Sequence, residues 1–162
     1  MSAHDTSPYL RQPNRLADVI AAIQVMGVYK FYKLDFSGWS DRISGSAADA
    51  EHWKGVFIDH PEFFRLDSAR AKASLVWRRQ HPKRYNVDTQ QALSKEAYEG
   101  LADHDKTRVS RTPLTSTEIS TLIQTATNLH ARALEAKRET RWWASGVFGV
   151  IGVLLGALLK SC

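Results

Sequence analysis

The chain has 162 residues, with 22 Lys or Arg against 17 Asp or Glu, so its formal net charge is +5 at pH 7. This length accommodates one modest domain with an appendage and excludes two large cores. Because Cys162 is the sole cysteine, an intramolecular disulfide is excluded, and the basic balance favours an acidic partner such as nucleic acid or anionic lipid.

The first part of the chain predicts three helices after a flexible polar tail at residues 1–14. Asn14 suits an N-cap, and apolar residues then recur every three or four positions, which predicts the first helix. A second, short helix is predicted to begin near Phe36. A third is predicted over residues 47–59, and Pro61 ends it because proline disfavours a helical residue before it.

Two strand-like segments follow, at residues 63–66 and 73–77, and their polar spacer predicts a hairpin. With a short strand at 31–34, the order is helix, strand, helix, helix, hairpin. This order resembles the winged helix-turn-helix topology over residues 15–80, and the predicted winged-helix-like domain covers 15–90. The resemblance rests on element order and implies that the hairpin is the wing and the third helix the recognition helix.

The second half predicts a polar connector at residues 91–114 and an amphipathic helical stalk at 115–141. Thr115 and Glu118 have the spacing of a capping box, which marks the start of the stalk. A heptad seam follows, made of Ile119, Leu122, Ala126, Leu129, Ala133 and Ala136. A weak coiled coil between two copies and docking onto the chain's own domain are both compatible with this seam.

Residues 142–159 carry no charged side chain and predict a single transmembrane anchor. As a helix the segment would be about 27 Å long at about 1.5 Å per residue, close to the thickness of a bilayer core. Trp142 and Trp143 would lie at the membrane interface, and the basic residues before them predict that the N-terminal bulk is cytoplasmic. A buried core helix is the alternative interpretation. The chain is therefore predicted to be tail-anchored.

Small residues recur every three or four positions within the predicted anchor. Gly149, Gly152 and Gly156 would lie on one stripe, and the last two form a GxxxG pattern. Such a stripe favours close helix–helix packing, although glycine is common in membrane helices in any case. The predicted fold class is thus mainly α with a small β-hairpin, a winged-helix-like α+β domain followed by a long C-terminal helix that ends in one transmembrane span.

A basic stretch around the predicted wing supplies the candidate binding residues. They are Arg65, Arg70, Lys72, Arg78, Arg79, Lys83 and Arg84. Such residues on a wing could bind nucleic-acid phosphates or lipid headgroups, or could simply be solvated. The third helix argues against sequence-specific DNA binding, because Asp49 and Glu51 on it would face phosphates and it lacks Arg, Asn and Gln.

The sequence contains no recognisable catalytic or metal-binding constellation. Its six histidines share no metal-ligand spacing, and neither a glycine-rich phosphate loop nor a nucleophile elbow is present. The cluster Asp103-His104-Asp105 could contact a cation, but a cluster of this kind in a polar loop is more often solvated. The chain is therefore predicted to be a non-enzyme without a metal or another cofactor.

Composition and motifs together favour a tail-anchored, cytoplasmic-facing interaction or adaptor module at a membrane. Its partners would be membrane lipid, a protein and a second copy that associates through the C-terminal helix. A membrane-tethered DNA-binding regulator is the main alternative, with nucleic acid as a less favoured partner. A pore-forming membrane effector is less favoured still, because the predicted anchor has no polar face to line water.

Overall fold

The computed structural model describes residues 7–159, with side chains through residue 139. The fold is mixed α+β. Its helices are α1 (Arg15–Val28), α2 (Phe36–Ser44), α3 (Ala50–Asp59), α4 (Lys95–Glu99), α5 (Asp103–Lys106) and α6 (Ser116–Leu159). Its strands are β1 (Lys33–Asp35), β2 (Phe64–Leu66), β3 (Lys72–Leu75), β4 (Tyr85–Asn86), β5 (Gln91–Ala92) and β6 (Val109–Ser110).

Helix α1 is at the centre of the core. Its inward face has helical spacing, and Val19, Ala22, Ile23 and Met26 are fully buried. Asn14 occupies the predicted N-cap position, but its backbone is left-handed (φ 67°) and its side chain makes no capping hydrogen bond. The helix start is therefore fixed by the buried apolar face rather than by side-chain capping.

Helix α2 is held between a capped start and a glycine stop. The Asp35 carboxylate accepts a hydrogen bond from the Gly38 amide at 2.7 Å. Gly45 ends the helix with a left-handed backbone (φ 74°), a conformation that costs glycine little. Between them, the buried Trp39 indole donates to the Ala73 carbonyl at 2.9 Å, so this helix is tied to β3.

The first sheet is antiparallel with the strand order β1-β3-β2. Phe64 on β2, with Ala73 and Leu75 on β3, faces the helices and is buried. On the opposite face, Lys33 and Arg65 are register partners of Ser74, one on each side of it. The period-two alternation thus separates an apolar inner face from a basic outer face.

A second antiparallel sheet, with the order β5-β4-β6, occupies part of the predicted polar connector. Asn86 shapes its hairpin, since its side-chain oxygen accepts from the Asp88 amide at 2.8 Å. Asp88 in turn forms an ion pair with Arg108, just before β6, with Nε and Oδ2 2.9 Å apart. These strands have two residues each, too short for a period-two pattern. The predicted fold class, mainly α with a small β-hairpin in a winged-helix-like domain, is therefore wrong: the fold is mixed α+β with two small sheets.

Helix α6 packs along α1 and so closes the core. Leu122 and Ala126 are buried in this contact. Gly27 permits it, because a Cβ there would lie 3.0 Å from Cδ1 of Ile119. The Leu114 amide donates to the Gly27 carbonyl at 2.9 Å and sets the approach. Of the two interpretations of the seam, docking onto the chain's own domain is therefore the one observed.

The predicted capping box at the start of α6 is confirmed. The Thr115 amide donates to Glu118 Oε2 at 2.7 Å, and the Glu118 amide donates to Thr115 Oγ1 at 3.2 Å. The pKa of Glu118 is lowered, chiefly by the amide of Thr115 and further by its hydroxyl. The carboxylate is therefore stabilised in the folded state.

The prediction of a transmembrane, tail-anchored protein is corrected by the structure. In the part of the chain that the structure describes, no helix combines the length and the apolarity that crossing a membrane requires. The described side chains of α6 include charged residues such as Glu135 and Lys137, and one face packs on α1. The predicted span 142–159, with Trp142, Trp143, Gly149, Gly152 and Gly156, lies outside the described side chains.

A matched pair of leucine substitutions tests the docking of α6. Leu122 is 3% exposed and Leu134, on the same helix, is 40% exposed. We expect Leu122→Ala to lower the free energy of unfolding by about 2 kcal/mol or more, because it leaves a cavity against α1, and Leu134→Ala by less than about 0.5 kcal/mol. Urea unfolding of the full chain measures both. Equal losses would contradict the docked arrangement.

The capping box gives the stability a pH dependence. Because the folded-state pKa of Glu118 is lowered, its contribution is present above the unfolded pKa of about 4.3 and is lost as the pH falls below it. We expect the stability gap between wild type and Glu118→Gln to be widest near neutral pH and to narrow on acidification. Urea unfolding across this range, with Glu135→Gln as control, measures it, and a constant gap would contradict the assignment.

Candidate interaction surface

Arg78, one of the predicted binding residues, is fully buried. It lies in a 3₁₀ helix (Trp77–Gln80) that follows β3 directly. Each of its N–H groups donates to a backbone carbonyl, and the five acceptors belong to Met26, Tyr29, Lys30, Arg111 and Thr112. Arg78 therefore joins the C-terminal end of α1 to the segment that leads into α6, and it does not belong to a binding surface.

The charge of Arg78 is stabilised by carbonyl oxygens, with no carboxylate within ion-pair distance in the described part of the chain. Several of these carbonyls end α1, where the helix dipole is negative and favours a cation. Burial lowers the pKa of Arg78 to about 10, so the side chain stays protonated at neutral pH. Its role is structural.

The other predicted residues are at the surface, and several share the outer face of the first sheet. Arg65 and Lys72 are exposed on β2 and β3, and Lys33 lies beside them on β1. Arg79 joins them from the 3₁₀ helix, where its Nη1 donates to Ser74 Oγ at 3.4 Å. We call Lys33, Arg65, Lys72 and Arg79 the basic sheet face.

The remaining predicted cations lie around this face. Arg70, with a left-handed backbone (φ 54°), is at the exposed hairpin tip. Lys83 is exposed and Arg84 half-buried in the loop before β4. The structure thus brings six of the seven predicted residues to the surface on two neighbouring segments, with four arginines and two lysines between residues 65 and 84.

Carboxylates neutralise little of this charge. Among the described residues, none lies within 4.0 Å of the charged nitrogens of Arg65, Arg70, Lys72, Arg79 or Lys83. Asp67 is 3.8 Å from Lys33 and accepts hydrogen bonds from the amides of Ala71 and Lys72. Burial alone would raise the pKa of Asp67, but these amides and the nearby lysines outweigh it and lower that pKa. Asp67 therefore shapes the hairpin tip as an anion.

Helix α3 is acidic on its exposed side, as the sequence predicts. Glu51 forms an ion pair with Lys54 at 3.0 Å, so the one lysine of the helix is already neutralised. Ile58 is 42% exposed on the same helix. A helix of this composition would bring carboxylate and apolar groups to a phosphate backbone, which is unfavourable in both respects.

A buried polar cluster at the end of α3 was not predicted as a unit. His60 is fully buried, and its Nδ1 lies 3.0 Å from Glu62 Oε1. The Tyr9 hydroxyl donates to the same oxygen at 3.3 Å, and the Tyr9 ring lies 4.4 Å from the His60 ring. Burial, reinforced by Glu62, raises the pKa of Tyr9. Tyr9 and His60 are buried while Glu62 lies at the surface, so the cluster fastens the N-terminal segment to the end of α3.

The acidic cluster in α5 is fully solvated. His104 Nδ1 is 3.0 Å from Asp105, and Lys106 pairs with Asp103 at 3.3 Å. No group of three residues with metal-ligating side chains occurs in the described part of the chain.

Comparison with known proteins found no matching family model, no similar curated protein and no similar solved structure. A role must therefore be inferred from the geometry.

Two adjacent arginines test the structural assignment of Arg78. Removing its side chain leaves several buried carbonyls without donors, so we expect Arg78→Met to lower the free energy of unfolding by about 3 kcal/mol or more. Arg79→Met, at the exposed neighbour, should cost less than about 1 kcal/mol, and Arg78→Lys should be intermediate because it keeps the charge with fewer donors. Urea unfolding of each full-length variant gives these values. Similar losses for both methionine variants would refute the assignment.

Proposed function

We propose that the chain is a non-enzymatic interaction module that binds an acidic segment of a partner protein through the basic sheet face. The observation that carries this proposal is the group of cations on the basic sheet face, where Arg65, Lys72 and Arg79 are exposed and have no carboxylate within 4.0 Å among the described residues. Like charges held close together repel, and an anionic partner relieves that repulsion.

A protein is favoured over duplex nucleic acid by the neighbouring helix. Helix α3 packs against β2 of the hairpin, so a duplex bound across the hairpin would also lie beside α3. Glu51 on α3 would then face phosphates, and Ile58 would be desolvated against a charged surface. A short acidic segment of a protein can lie on the outer face of the sheet without reaching α3, which packs on its inner face. Nucleic acid is the competing class, because the hairpin tip is basic.

Binding of a labelled glutamate homopolymer to the full chain, followed by fluorescence anisotropy, tests the proposal. We expect saturable binding at moderate salt, weakened about tenfold by the double variant Arg65→Glu/Lys72→Glu. The control, Lys95→Glu/Arg132→Glu, makes the same change in net charge at exposed positions on α4 and α6. It should change the affinity less than about twofold, since it leaves the basic sheet face intact.

The same variants are then titrated with duplex DNA of mixed sequence. If DNA binds more tightly than the glutamate polymer, with a steep salt dependence that Arg65→Glu/Lys72→Glu removes, the protein-binding proposal is wrong and nucleic acid is the partner class. Equal effects of the two double variants on both probes would show that only net charge matters, and would also overturn the proposal.

A further inference from the structure

Three cations of the basic sheet face surround one residue, Ser74 on β3. Lys33 on β1 and Arg65 on β2 are its register partners, one on each side. Side chains that are paired across antiparallel strands are neighbours, with their Cβ atoms about 5 Å apart. Arg79 reaches the same position from the 3₁₀ helix, since its Nη1 donates to Ser74 Oγ at 3.4 Å. Three separate elements thus bring positive charge to one position on the outer face of the sheet.

The Ser74 hydroxyl is used within the sheet. It donates to the Arg65 carbonyl at 3.3 Å and accepts from the Arg79 guanidinium. Ser74 is also fully buried. An anion that binds at this position would therefore contact the cations around Ser74 and not its hydroxyl.

The two arginines of this group keep most of their hydrogen-bond donors, and both are exposed. Among the described residues, the Arg79 guanidinium donates to Ser74 alone, and the Arg65 guanidinium donates to no protein group. Neither has a carboxylate within 4.0 Å in that part of the chain. Lys33 is partly neutralised, because its Nζ is 3.8 Å from Asp67 Oδ2. Two guanidinium groups with uncompensated charge therefore flank the same position.

A phosphate monoester matches this arrangement better than a carboxylate does. It carries a charge of roughly −1.5 to −2 at neutral pH and three strong acceptor oxygens. A guanidinium group presents a planar fork of N–H donors that binds two oxygens of a phosphate at once. Two such forks beside a lysine can contact all three oxygens, whereas a single carboxylate would leave one fork without an acceptor.

We propose that the residue recognised on the basic sheet face is a phosphorylated serine or threonine of the acidic segment, with its phosphate group above Ser74. This ligand presupposes the proposed function, in which the segment lies on the same face. The phosphate accepts hydrogen bonds from the guanidinium groups of Arg65 and Arg79, and Lys33 adds its charge. Lys72 lies two residues from Ser74 on β3 and thus on the same face, where a neighbouring carboxylate of the segment can pair with it.

Three labelled peptides test this proposal. They share one acidic sequence and carry serine, glutamate or phosphoserine at the central position, and their binding to the full chain is followed by fluorescence anisotropy. We expect the phosphoserine peptide to bind about tenfold or more tightly than the glutamate peptide, and the serine peptide to bind most weakly.

Variants that keep the charge but remove the fork identify the arginines involved. Arg65→Lys and Arg79→Lys should each reduce the preference for phosphoserine over glutamate about fivefold, with little effect on the glutamate peptide. The matched control, Arg70→Lys, lies at the hairpin tip and should leave that preference unchanged. All three positions are exposed, so these substitutions should leave the fold intact.

The outcomes separate this proposal from the proposed function. If the glutamate polymer binds but the phosphoserine peptide does not, or binds no more tightly than the glutamate peptide, the phosphate proposal is wrong and the acidic-segment function stands. Equal effects of Arg79→Lys and Arg70→Lys would have the same meaning. If neither the peptides nor the polymer bind, both proposals are wrong.

Inorganic phosphate distinguishes a phosphorylated segment from free phosphate. At the concentration at which the unlabelled phosphoserine peptide displaces the labelled one, inorganic phosphate should displace little of it, because it lacks the flanking acidic residues. Equal displacement by both would show that the site binds free phosphate, and would overturn the proposal of a phosphorylated partner.

Discussion

The buried guanidinium of Arg78 is the interaction on which the arrangement of the chain depends. No carboxylate among the described residues forms an ion pair with it. Instead it donates hydrogen bonds to backbone carbonyls at the end of α1 and in the segment before α6. These two backbone segments lie far apart in sequence. Among the described residues, neither uses those carbonyls in a helical or sheet hydrogen bond. Holding them together fixes where the chain re-enters the core at Leu114, and hence the register of α6 on α1.

Local patterns in the sequence were sufficient to predict features that depend on neighbouring residues. The capping box of Thr115 and Glu118 and the buried stripe of α1 are of this kind, because spacing along one helix decides them. Arg78 shows the opposite case. Its neighbours Arg79, Lys83 and Arg84 are at or near the surface, and nothing in that run distinguishes the one arginine whose partners come from residues 26–30 and 111–112. Only the tertiary structure shows which cations of this run are structural and which are exposed.

The C-terminal half was predicted less well for the same reason. Strands of two residues have no periodicity to detect, and the second sheet is assembled by a turn at Asn86 and the ion pair of Asp88 with Arg108. The heptad seam of α6 gave two partners equal standing, another copy or the chain's own core. Gly27 favours docking on the chain's own core, because a Cβ there would lie only 3.0 Å from Cδ1 of Ile119, and a lone glycine inside a helix does not predict such a contact.

The two ends of α1 differ in how the chain holds a buried arginine. At the C-terminal end, every donor of Arg78 has an acceptor from the chain itself. At the N-terminal end, Arg15 is almost as deeply buried but, among the described residues, is paired at one nitrogen only, with Asp59. Arg15 therefore relies on a carboxylate, whereas Arg78 relies on the number of carbonyl dipoles around it. Two different ways of holding a buried cation thus fix the two ends of the same helix.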